Sequence, residues 1–157
     1  MPGALAARMM ETPPLADRHF DPARFFAARS DGHGRTLGIE YRAHGADWCE
    51  LALPYDPRLI GDVATGVIAS GPILTLMDMA TSIGAWLKQG RFAPQATMDL
   101  RIDYLRAARP GHSVIGRGEC YRLTRSIAFV RGQAHDGDSA DPIAHVAGTF
   151  MLLDMPS

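Results

Sequence analysis

Apolar and polar residues recur along this chain with two different periods, and the change falls after the segment Ser70 to Gln89, SGPILTLMDMATSIGAWLKQ. That segment is apolar on nearly every side, which predicts a helix that must be covered all round rather than a half-exposed surface helix. Pro72 suits its first turn, where a missing N–H costs nothing, with Gly71 or Ser70 as the cap before it. Beyond it the period becomes two. In Thr97 to Leu105, Met98, Leu100, Ile102 and Tyr104 alternate with Thr97, Asp99, Arg101 and Asp103, which predicts a strand with one buried face. Gly111 and His112 turn the chain into Val114 to Leu123. Thr124-Arg125-Ser126 turns it again into Ile127 to His135, and the acidic loop Asp136 to Pro142 precedes a last strand, Ile143 to Leu153.

Upstream, Pro22 to Arg29 is expected to be a short helix with Phe25, Phe26 and Arg29 on one face, ended by Gly32 and Gly34. Thr36 to His44 and Trp48 to Pro54 then flank the turn His44-Gly45-Ala46-Asp47 as a hairpin, and a loop from Tyr55 to Thr65 leads into the long helix. The sum is an α+β fold: an antiparallel sheet curled around one long central helix. One sheet leaves part of that helix uncovered, so pairing with a second copy is the natural completion. Residues 1–20, with Pro2, Pro13 and Pro14, are expected to form a flexible N-terminal arm, and 21–157 a single domain.

At 157 residues and 17.0 kDa, one domain can bury a single core. Sixteen Lys and Arg against 17 Asp and Glu, for a net charge of −1, give no general attraction for nucleic acid or anionic membrane. The N-terminal residues lack the basic start and long apolar core of a signal peptide, and no apolar run approaches the ~18 residues of a membrane span. A soluble, cytoplasmic protein is expected. Cys49 and Cys120 form no CxxC pair and fall in strand segments, as small buried hydrophobes do in a reducing compartment.

Within this pattern one residue stands out. From Pro72 to Leu87, Asp78 is the only ionisable side chain. An unpaired carboxylate in apolar surroundings is expensive. Asp78 could cap a second helix starting at Met79, or pair with an arginine brought from a strand. The alternative is a catalytic carboxylate in a cleft, favoured by the free N–H groups of a Gly-Pro helix start about two turns earlier. The histidines at 19, 33, 44, 112, 135 and 145 lack metal-ligand spacing, and no metal site is expected. Arg106, Arg109, Arg122 and Arg125 fall near strand ends, where they are either solvated charges or phosphate ligands.

The chain resembles the hotdog-fold thioesterases, and among them the PaaI-like (phenylacetate-pathway) group, over Thr36 to Leu153. Gly66 to Ala80 follows the family pattern G-x-[VI]-H-G-G-x-x-x-x-L-x-D-x-A, with Ala69-Ser70-Gly71 where the family usually has His-Gly-Gly. Thr97 to Gly111 follows T-x-D-L-x-x-x-Y-L-R-P-A-x-x-G, and Ala147-Gly148-Thr149-Phe150 matches as well. The resemblance implies the hotdog fold and an acyl-CoA thioesterase that hydrolyses a thioester to a carboxylic acid and free CoA. By the same resemblance Asp78 is the general base or nucleophile, the Gly71 amide polarises the carbonyl, and Thr97 supplies a hydroxyl from the other protomer that helps hold the attacking water. Ser70, Arg106, Arg109 and Arg125 are the candidate substrate-binding residues. Coenzyme A is part of the substrate, so no cofactor is expected, and the assembly implied is a homodimer or homotetramer with sites between protomers. A hotdog dehydratase acting on hydroxyacyl thioesters and a non-catalytic acyl-CoA binding protein are the other readings. No histidine lies near Asp78 in sequence to complete a dehydratase acid and base pair, and the alanine at position 69 is what keeps the binding protein in view.

Overall fold

The computed structural model describes residues 19–153. Helices α1 (Pro22–Ala28) and α2 (His33–Thr36) precede a hairpin of β1 (Glu40–His44) and β2 (Trp48–Leu53). A turn of 3-10 helix at Pro57–Leu59 and a small ribbon, β3 (Ile60–Asp62) with β4 (Val67–Ile68), lead into the long helix α3 (Ser70–Gln89). Four strands follow: β5 (Gln95–Tyr104), β6 (Val114–Leu123), β7 (Ile127–His135) and β8 (Ala144–Leu152). The main sheet is antiparallel, in the order β1-β2-β6-β7-β8-β5. Helix α3 lies across β2, β6 and β7. This is the α+β hotdog fold, a sheet wrapped around a long central helix.

The core follows from the helix. Ile73, Leu76, Met77, Ala80 and Ile83 are buried against Leu51, Leu53, Val114, Ala134 and Val146 of the sheet. The close approach depends on glycines in the central strands. A Cβ on Gly118 would lie 2.6 Å from the Ala80 carbonyl carbon, and one on Gly116 2.8 Å from Leu76 Cγ and Met77 Sδ. At Gly118 glycine is required by backbone packed on backbone, and at Gly116 by the Leu76 and Met77 side chains packed on the strand. The C-terminal end of α3 is closed by Gly90 at φ 72 and by an aromatic cluster of Trp86, Phe92, Phe20 and Phe25. Cys49 and Cys120 are buried free thiols, as expected, and burial pushes the Cys49 thiol up to about 12.

Several features differ from the sequence expectations. Gly32 starts α2 instead of ending a helical region, because its φ of 100 lets the chain reverse just before His33. The first strand accordingly begins at Glu40 and not at Thr36. The expected loop Tyr55 to Thr65 contains the 3-10 turn, held by the Asp56 carboxylate accepting from the Arg58 N–H, and the first strand of the ribbon. Phe20, assigned to the arm, is buried in the aromatic cluster; the rest of the expected arm, residues 1–18, lies outside the described residues.

The last difference positions the site. Strand β5 carries a bulge: Thr97 pairs with Phe150 and Asp99 with Thr149, leaving Met98 as an extra residue. A bulge reverses the side-chain alternation at that point. Leu100 and Ile102 face the core as the alternation predicts, but beyond the bulge the inward positions become Thr97 and Gln95, while Met98 is 54% exposed.

Candidate active site

Helix α3 and the edge strand β5 are joined by three polar contacts. Near one end, the Gln95 side-chain amide donates to the Ser82 carbonyl at 2.8 Å and to its hydroxyl at 2.6 Å. In the middle, the Thr97 hydroxyl donates to Asp78 Oδ1 at 3.0 Å. At the other end, the Tyr104 hydroxyl donates to the Ser70 carbonyl at 2.9 Å.

Asp78 sits in the middle of an unbroken helix, so it caps nothing, and no arginine or lysine pairs with it among the described residues. It is half-buried on the flank of α3 facing β5, with Thr97 as its hydrogen-bond partner. Burial raises its carboxyl above the ordinary value, and the Thr97 bond opposes that rise.

The N-terminal end of the same helix offers donors. The cap position falls on Ala69 and not on the expected Gly71 or Ser70, because the helix already begins at Ser70; Ala69 has no side-chain group to bond the first turn, and its own N–H donates to the Leu59 carbonyl at 2.8 Å. Pro72 has no N–H. The orphan donors of the first turn are therefore the amides of Ser70 and Gly71, which have no protein acceptor among the described residues. Both residues are exposed, and the space where a Gly71 Cβ would stand is open. These amides sit at the positive end of the helix dipole, which suits a carbonyl oxygen that gains negative charge.

The arginines are placed differently from one another. Arg106 is held in a network: its guanidinium donates to both carboxylate oxygens of the buried Asp136 at 2.9 and 2.7 Å, and to the Asp141 carbonyl at 2.7 Å. Asp136 also accepts from the Arg109 N–H at 2.8 Å. The Arg106 cation holds the Asp136 carboxyl well below the usual carboxylate range. Arg106 thus ties the β5–β6 loop to the β7–β8 loop, a function its sequence position did not reveal. The Arg109 side chain is half-exposed and only loosely paired, 3.5 Å from Asp141. Arg125 is exposed in the turn between β6 and β7. The ten residues of β6 separate it from Arg109 by about 30 Å, so the arginines do not form one cluster.

Among the described residues no three His, Cys, Asp or Glu side chains gather to hold a metal ion. No described helix is long and apolar enough to cross a membrane. The Gln95 to Ser82 and Tyr104 to Ser70 contacts went unseen in the sequence, because both exist only once β5 is laid along α3. The motif position of Tyr104 was the one available signal.

An antiparallel sheet wrapped around one long central helix is the hotdog fold of the thioesterases. The thioesterase superfamily model matches residues 65–143, about half of the chain, and the chain belongs to this superfamily. A solved structure of a Pseudomonas aeruginosa protein is 40% identical and covers 83% of this chain and 96% of its own, with a TM-score of 0.73. The medium/long-chain acyl-CoA thioesterase YigI of Salmonella typhimurium is 27% identical over 131 residues, 75% of this chain and 83% of that protein. At the level of the fold alone, the thioesterase HI1161 of Haemophilus influenzae covers 89% of this chain and 95% of its own at 23% identity, with a TM-score of 0.76.

Proposed function

We propose that this chain is an acyl-CoA thioesterase, with Asp78 as general base or nucleophile and the Gly71 amide polarising the thioester carbonyl. The observation that carries the reading is the placement of Asp78, half-buried, unpaired with any cation among the described residues and oriented by Thr97. Water attacks the carbonyl carbon while Asp78 accepts its proton, or Asp78 attacks and water opens the resulting anhydride. In either case the carbon–sulfur bond breaks, CoA leaves as the thiol, and the acyl group leaves as the acid. The amides at the helix start stabilise the oxyanion, with Ser70 beside Gly71 at the same end. Coenzyme A arrives with the substrate, so the reaction calls for no metal or further cofactor.

The site is shared between two protomers. Seven residues of helix separate Gly71 from Asp78, a rise of about 10.5 Å. The Gly71 N–H points out of the N-terminal end, so a carbonyl bound there lies further still from Asp78 of the same chain. A base acting directly or through one water must stand within about 6 Å of the carbon it serves. The Asp78 and Thr97 pair of one chain therefore serves the Gly71 end of another. The long edge strand β5, with Met98 54% exposed on it and Leu105 57% exposed just beyond its end, supports a homodimer formed there, and pairs of dimers would give a homotetramer. Of the three arginines read as substrate-binding, Arg106 is spent on Asp136, while Arg109 and Arg125 are exposed enough to meet CoA phosphates. A cytoplasmic protein acting on soluble CoA esters, with neither nucleic acid nor membrane as partner, completes the reading.

Thiol release from a panel of acyl-CoA esters, from short to long chain and aromatic, tests it. Hydrolysis of at least one ester at a rate abolished in Asp78→Asn is expected. Water addition to enoyl-CoA without hydrolysis would make the chain a dehydratase, and binding without turnover would make it a carrier.

A further inference from the structure

We propose that Tyr104 is a positioning residue for the reaction, whose hydroxyl holds and polarises the one peptide unit that presents the Gly71 N–H. This rests on the reading that the Gly71 amide binds the thioester carbonyl. The Tyr104 hydroxyl donates to the Ser70 carbonyl oxygen at 2.9 Å. That carbonyl and the Gly71 N–H belong to the same planar peptide and point in opposite directions. A donor on the oxygen withdraws electron density through the amide and strengthens the N–H as a donor on the other side, the cooperative effect known in hydrogen-bond chains.

The surroundings leave this task to Tyr104. Ala69 supplies no capping side chain, and Pro72 supplies no N–H. Gly71 has no Cβ, and nothing lies within 4 Å of where one would be. The carbonyl of Gly71 itself accepts from the Thr75 hydroxyl at 3.2 Å, and on the preceding peptide, which carries the Gly71 N–H, the Tyr104 bond is the side-chain contact among the described residues. Tyr104 itself is fixed, because it closes the β5–β8 ladder opposite Ala144. The strand that orients Asp78 through Thr97 in its own chain thus also sets the oxyanion donor of that chain, which by the helix-rise argument serves a neighbour. One strand tunes half of each of two sites.

Two measurements separate this role from a brace. With a hydrolysed acyl-CoA, Tyr104→Phe should lower kcat about 5- to 10-fold with KM within about twofold, the loss of one hydrogen bond felt in the transition state. In Asp78→Asn, which binds without turning over, isotope-edited infrared of an octanoyl-CoA labelled at its carbonyl should show the bound stretch below that of free ester. Adding Tyr104→Phe should return part of that shift. No shift in Asp78→Asn alone would overturn the Gly71 reading itself. A full shift with and without the Tyr104 hydroxyl, together with unchanged kcat, would leave Gly71 in place and overturn the role of Tyr104. Should Tyr104→Phe fail to fold, a fluorinated tyrosine at 104, a stronger donor in the same ring, must lower the stretch further, and an unchanged stretch would overturn the proposal.

Discussion

Replacing Asp78 by asparagine separates catalysis from structure, because the contacts of this side chain predict opposite outcomes for the two roles. The Thr97 hydroxyl donates to Oδ1 at 3.0 Å, and an asparagine carbonyl oxygen at the same place accepts that bond unchanged. No cation is stranded by the substitution, since none pairs with Asp78 among the described residues. Burial already penalises the charged carboxylate, so a neutral amide relieves a cost. The melting temperature should therefore hold or rise by about 1–4 °C. Turnover is another matter, since the amide can neither take a proton nor attack. Loss of a general base alone costs about 10²- to 10⁴-fold, and kcat should fall by at least the lower figure. Thermal unfolding and thiol release measured on one preparation decide the question. Turnover per folded molecule within about threefold of the parent would refute the catalytic role. A fall of more than about 5 °C, with activity lost in proportion, would show that the carboxylate serves the fold.

Three further outcomes follow from the same geometry. The raised Asp78 carboxyl places the acidic limb of the kcat profile above the ordinary aspartate range near 4, with activity lost as pH falls through it; Thr97→Val, which removes the opposing hydrogen bond, should move that limb to still higher pH. A limb that stays in place in Thr97→Val would detach Thr97 from the titrating group. Asp136, held low by Arg106, stabilises the fold above the usual aspartate range and loses that contribution as pH falls toward its depressed value; Asp136→Asn should lower the melting temperature by about 5–10 °C at neutral pH, and much less in acid where the parent loses the same interaction. Sedimentation should show at least a dimer at micromolar concentration, and Met98→Lys on the exposed bulge of β5 should weaken it and reduce turnover together; a fully active monomer would end the shared-site reading.

Local pattern was enough to define most of the elements. The long apolar run of α3, the alternation of Leu100 to Tyr104 and the turn residues that bound β6, β7 and β8 are properties of short segments, since a helix, a half-buried strand or a turn shows its signal within its own residues. The isolation of Asp78 was visible for the same reason, as one charge inside one apolar run. The partner of that charge was not. Simple alternation places Thr97 on the face away from Leu100, and only the extra residue at Met98 turns the hydroxyl toward α3. A bulge is set by how two strands pair, which neither strand shows alone. The arginines make the same point: Arg106 and Asp136 are thirty residues apart and meet because β6 and β7 run out and back between them, converting a candidate phosphate ligand into a structural ion pair. Tyr104 and Ser70 meet only because the edge strand lies along the helix. What the sequence by itself determined was the long helix, the main strands and the one acid that had to be explained, because period and composition are local. The tertiary structure alone decided which groups face that acid and which are spent holding loops, because strand register, bulges and the crossing of strand and helix are relations between distant segments.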